Sequence, residues 1–295
     1  MTAPLRGAIT ALITPFTDQG QVDEAALGAL VDWQVAEGID GLVPVGSTGE
    51  AVTLVLPERE RIVRITVERV AGRVPVIAGA GSNDTAAAIR TSLALAAAGA
   101  THLLHVSPMY NKPPQRGILA HFRAIADASP VPIVVYNVPG RTGSNVLPET
   151  TLALAEHPNI CAVKEASGDL GQIDEIIRHR PAGFSVLSGD DSLTLAVMVA
   201  GGDGVISVIS NAVPRACAAL VESAARGDLV AAREWHRRLA PLVDAAFAES
   251  NPLPIKAALA LMGRARNVLR LPLVPMDTRH DPALRAALAT AGVSL

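Results

Sequence analysis

Only three of the 25 basic residues in this 295-residue chain are lysines: Lys112, Lys164 and Lys256. The rest are arginine, whose guanidinium cannot lose its proton to become a nucleophile. A lysine kept against that bias points to amine chemistry. Lys164 closes the run ICAVK, in which period-two alternation sets Ile160, Ala162 and Lys164 on one side and Cys161, Val163 and Glu165 on the other. Both sides are apolar before the charge, so Lys164 emerges from a buried strand. Burial draws an amine below its usual ~10.4, and a neutral amine is what imine formation with a ketone requires. The competing reading is a lysine salt-bridged at a rim, with Glu165 as its neighbour. Lys112, beside Pro113 and Pro114, reads as a solvated charge, and Lys256, in a helical C-terminal stretch, as a structural one.

Tyr110 and Tyr136 are the only tyrosines. A phenol held against an amine can carry protons; either ring can equally be a packing aromatic, and the sequence leaves both open. In GSTGE, residues 46–50, Ser47 and Thr48 offer hydroxyls and a glycine-flanked backbone able to grip a carboxylate. An ordinary strand-to-helix turn has the same composition. Arg141 lies in a Pro/Gly-rich loop, where it can clamp a carboxylate bidentately or pair on the surface.

Other chemistries lack their residues. His102 and His105 are three apart on a strand and face opposite sides, so they do not share a metal ion. GAGSND lacks the third glycine of a dinucleotide loop, and no G-x-S-x-G elbow is present. SGDD is acidic, against a phosphate site. We therefore expect no metal and no cofactor. Cys161 and Cys217 read as reduced, buried small hydrophobes.

These residues need elements to hold them. Hydrophobic residues make up 49% of the chain and net charge is -3, with no basic patch for nucleic acid. The N-terminal residues lack a signal-peptide core, and the apolar runs are too short to span a bilayer, so the expected setting is the cytoplasm. Eight short apolar runs read as strands: residues 8–13, 41–45, 74–78, 102–106, 133–136, 161–164, 185–187 and 205–208. Amphipathic stretches separate them. In 83–98, Ile89, Leu93, Ala96 and Ala97 form the expected buried face, with Gly99 as the stop; 57–71 has Pro57 in its first turn and Gly72 after its end. The pattern predicts an α/β (β/α)8 barrel over residues 1–225. Helical stretches at 215–226, 229–247, 254–262 and 282–291 put a C-terminal helical appendage at 226–295. The polar clusters follow the strands, so in a barrel they converge on one face.

In order, GSTGE, SPMYNKP, YNVPGRTG, KEASGD, SGDD, GVISV and NPLPIKAAL resemble the dihydrodipicolinate synthase/N-acetylneuraminate lyase family, in register from about Gly7 to about Leu271. The resemblance implies that Lys164 forms a Schiff base with pyruvate and that Tyr136 passes protons to and from it. Ser47, usually threonine in the synthase branch, joins Tyr110 and Tyr136 in a proton relay. Thr48 binds the pyruvate carboxylate, Arg141 orients the aldehyde, and Ile206, through its carbonyl, and Gly189 border the substrates. YNVPGRTG resembles the synthase branch, which implies condensation with aspartate 4-semialdehyde to 4-hydroxy-tetrahydrodipicolinate, for lysine and cell-wall synthesis. Ser47 is common in the lyase branch, so the alternative is a pyruvate aldolase acting on N-acetylneuraminate or a 2-keto-3-deoxy sugar acid. A retired barrel that only senses an oxoacid is the non-enzymatic rival. Leu56, Ala87 and Met109 stand at positions that are polar or aromatic in lysine-inhibited relatives, which implies weak or no feedback by lysine. The resemblance also implies a homotetramer of tight dimers, with Tyr110 reaching the neighbouring subunit's site.

Overall fold

A computed structural model describes residues 4–295 of the chain. Eight parallel strands form it: β1 Gly7–Ala11, β2 Gly41–Val43, β3 Ile77–Gly79, β4 His102–Val106, β5 Ile133–Asn137, β6 Ile160–Glu165, β7 Ser185–Ser188 and β8 Gly204–Ser207. They pair in the order β2-β1-β8-β7-β6-β5-β4-β3. Leu42 N–H donates to Pro75 O at 3.1 Å and Gly79 N–H to Pro44 O at 3.1 Å, which brings β2 and β3 together and closes the barrel. All eight expected strands are present. The third begins at Ile77 and not at Val74, because Pro75 has no N–H for a ladder and leaves Val76 as a lone bridge to Leu42.

Strand parity sorts the core into two layers. Ile9, Ile77, Val134, Leu187 and Ile206 pack inside the barrel, whereas Val135, Val163 and Val186 belong to the layer between strands and helices. Strands buried on both faces read as continuous apolar runs, which is why the sequence displays them clearly.

One helix face departs from expectation. In Thr85–Ala97 the buried residues are Ala88, Ser92 and Leu95, while Leu93 is 48% exposed. Nearly every position of this helix is apolar or small, so periodicity cannot choose a face. Small Ala88 and Ser92 allow the close approach, and the Ser92 hydroxyl donates to Ala88 O at 2.7 Å and meets His105 Nε2 at 3.2 Å. The C-terminal helices Pro214–Ala225, Leu229–Ala246, Leu253–Leu261 and Asp281–Ala291 lie within a residue or two of the expected stretches. No described helix is long and apolar enough to cross a membrane. Both cysteines are free thiols, Cys217 buried and Cys161 half-buried.

His105 and His102 are buried, and burial lowers them to about 3 and about 4. In the unfolded chain both titrate near ~6.5, so between the two values the unfolded state binds more protons. Their contribution is complete above that pH and falls by about 1.4 kcal/mol per pH unit per histidine on acidification. Asp190 and Asp191, raised by burial, act in the opposite direction. The comparison is therefore with a variant. Between pH 6 and 4, urea unfolding of His105→Gln is expected to show a shallower acid loss than the parent by about one histidine's slope. Identical slopes would refute the assignment.

Candidate active site

The polar ends of the strands meet in a cavity whose lining includes Ser47, Thr48, Tyr136, Arg141, Lys164 and Gly189. Each residue arrives there for a local reason. Lys164 and Tyr136 are register partners on adjacent β6 and β5. They share the inward parity of Ala162 and Val134, so both side chains enter the barrel. Lys164 is 5% exposed, and its Nζ lies 4.3 Å from the centre of the Tyr136 ring. Glu165, the neighbour that might have paired it, has the opposite parity and no bond to it.

Burial sets the protonation states. It lowers the Lys164 amine to about 8; Asp191 and Asp190 oppose that shift and Arg141 adds to it. Desolvation thus wins over two nearby carboxylates. At pH 7 roughly 10% of such an amine is neutral, against about 0.03% for an ordinary lysine. The Tyr136 phenol is pushed up to about 12, mainly by burial, with Arg141 opposing and Asp190 adding. It therefore stays protonated at neutral pH, with an O–H available to donate.

Thr48 is buried, and its Oγ1 accepts a hydrogen bond from Asn251 Nδ2 at 2.9 Å. That leaves the threonine O–H free to donate. Ser47 stands exposed at the mouth, between this cavity and a neighbouring one bordered by Val52 and Met109. Arg141 lies in the short helix Pro139–Thr142, exposed at the mouth, and donates from Nη2 to Asn251 O at 3.1 Å. Gly189 is required by closeness: a Cβ there would stand 2.6 Å from Ala166 Cβ, and its N–H donates to Glu165 O at 2.6 Å.

Two expected residues stand apart. Ile206 is fully buried in the inner layer, and Val208, two residues on, borders the cavity instead. Tyr110 is 89% exposed, at a left-handed φ of 72°, and does not border the cavity within its own chain.

The sequence reading missed three groups. Asn251 holds Thr48 with its side chain and Arg141 with its carbonyl. In the sequence it is only the first residue of NPLPIKAAL, with no local sign of that role. Asp190 lines the cavity, and Asp191, buried, accepts from Ser207 Oγ at 2.5 Å and from the N–H groups of Val208 and Ile209. The adjacent acids of SGDD were the available signal; their proximity to Lys164 comes from the fold. Among the described residues no group of three or more His, Cys, Asp or Glu could hold a metal ion.

Comparison with known proteins identifies the family. The model of the dihydrodipicolinate synthetase family matches residues 4–291. The 4-hydroxy-tetrahydrodipicolinate synthase of Maridesulfovibrio salexigens is 47% identical over 289 residues, covering 98% of this chain and 99% of the relative. A dihydrodipicolinate synthase structure from Thermotoga maritima superposes with a TM-score of 0.96 at 43% identity, covering 98% and 99%. The chloride-inhibited enzyme from Acinetobacter baumannii, complexed with pyruvate, gives 0.96 at 39% identity over the same shares.

Proposed function

The chain belongs to the dihydrodipicolinate synthetase family, and on that premise we propose that its barrel condenses pyruvate with aspartate 4-semialdehyde through a Schiff base on Lys164. The observation that carries the assignment is a buried amine, lowered to about 8, set against the Tyr136 ring. Neutral Lys164 attacks C2 of pyruvate; one of its protons passes to the carbonyl oxygen and the Tyr136 phenol supplies a second, so the oxygen leaves as water from a protonated imine and Tyr136 is left as the phenolate. The Tyr136 phenolate takes a C3 proton, which gives the neutral enamine and restores the phenol. The enamine carbon attacks the aldehyde, whose oxygen takes the Tyr136 proton as the imine re-forms; the phenolate then accepts the proton that the substrate's amine loses in the next step. The substrate's amine then adds to the imine carbon, closes the ring and releases Lys164.

The free O–H of Thr48 suits the pyruvate carboxylate, and Arg141 suits the carboxylate of the second substrate. Ser47, Gly189 and Val208, just past the end of β8, complete the walls. The tyrosine relay needs Tyr110 from a second subunit. Its 89% exposure on a left-handed backbone supports that reading, as do the exposed Val52 and Val55. We infer a homotetramer of tight dimers in the cytoplasm.

The test is a coupled assay of the purified protein with both substrates, following the product's reduction. Turnover with aspartate 4-semialdehyde, and persistence of the rate in millimolar lysine, is expected. Turnover only with a polyhydroxylated aldehyde would move the assignment to a sugar-acid aldolase.

A further inference from the structure

A buried carboxylate lies directly behind the reactive pair and has no part in the steps above. Glu165 is fully buried on the outer side of β6, and its register partner is Asn137, next to Tyr136. Asn137 Nδ2 lies 3.1 Å from each Glu165 oxygen. Ser167 N–H donates at 2.8 Å and Gln172 Nε2 at 3.2 Å. Every one of these donors is neutral. Burial therefore raises the Glu165 pKa, and the hydrogen bonds hold it back. Such a group costs stability relative to a well-packed apolar residue, so its presence calls for a use.

A carboxylate is acceptor-only, so it can hold donors from three separate pieces of chain at once. Here they come from β5, from the loop after β6 and from the helix Leu170–His179. The same cluster continues past Arg141. Asn137 Oδ1 accepts from Val146 N–H at 2.9 Å, Asn137 Nδ2 donates to Asn145 Oδ1 at 2.7 Å, and Asn145 Nδ2 donates to Gln172 Oε1 at 2.7 Å. A glutamine at 165 would turn an NH2 toward one of these donors.

We infer that Glu165 is a positioning residue, locking the ends of β5 and β6 so that Tyr136 sits against Lys164 and tying in the loop that follows Arg141. The inference rests on the Schiff-base reading. Two variants test it: Glu165→Gln, and Gln172→Ala on the outer helix, where folding is less at risk. For both, kcat is expected to fall, by about 10- to 100-fold for Glu165→Gln and less for Gln172→Ala. KM for pyruvate should stay within about threefold, because Thr48 is held by another segment. Borohydride capture of pyruvate on Lys164 should slow in parallel. Native kcat and native capture rate in both variants, whatever the Tm, would overturn the positioning role. Failure of the unmodified protein to capture pyruvate on Lys164 would instead overturn the Schiff-base reading beneath it.

Discussion

Lys164→Ala is expected to lower turnover by on the order of 10⁴-fold or more, and to remove the pyruvate adduct that borohydride traps on the native protein. The size follows from the covalent role proposed for this amine, so the loss belongs to kcat. Lys164→Arg should be no better, since a guanidinium offers no neutral nucleophile at accessible pH. The pH dependence follows from the buried amine. Its value of about 8 means that the capture rate at subsaturating pyruvate rises with pH and levels off above that value. Asp190 raises the Lys164 value, so Asp190→Asn should move the rise to lower pH. A profile still climbing at pH 10 would mean that burial does not tune this amine. A stable pyruvate adduct on Lys112 or Lys256 would dismiss the site altogether.

How far the sequence carries this site depends on where the information lies. Lys164 was legible because strand parity is local: Ala162 and Lys164 share a side, and the apolar run announces burial before the charge arrives. The barrel was legible for the same reason, strand by strand. The uniformly apolar Thr85–Ala97 helix was not, because its packing partner chose the face. The role of Asn251 was illegible from local pattern alone, since it binds Thr48 across 203 positions of sequence. Asp190 and Asp191 were visible as acids, but only the fold says which lysine they face. Tyr110 was visible as chemistry, and its exposure shows that one chain does not bring it to the cavity.

Lys256→Met is expected to cost about 3–5 kcal/mol, because it leaves the buried Glu50 charge without its cation. Lys256 and Glu50 are both essentially unexposed, with Nζ 2.5 Å from Oε1. The same ammonium donates to Val268 O at 2.7 Å and lies 4.2 Å from the Phe16 ring centre. Glu50 would then keep one hydrogen bond, from the Arg270 N–H at 3.0 Å, and the weaker field of the Arg270 guanidinium. On a chain of this size the loss corresponds to a Tm lower by roughly 10 °C. It should also reach the substrate. Glu50 stands two residues after Thr48, at a left-handed φ of 54°, and Lys256 follows Asn251, which holds the Thr48 hydroxyl. The ion pair and the Asn251 bond are thus two ties between the same two segments, and loosening one should raise KM for pyruvate more than it lowers kcat. The double variant Glu50→Leu/Lys256→Met removes both charges, and should recover much of the lost stability if the uncompensated carboxylate is the cause. It should not recover KM, since a tie to the Thr48 turn is still missing. A double variant no more stable than Lys256→Met alone would place the cost in packing around Phe16 and not in the charge.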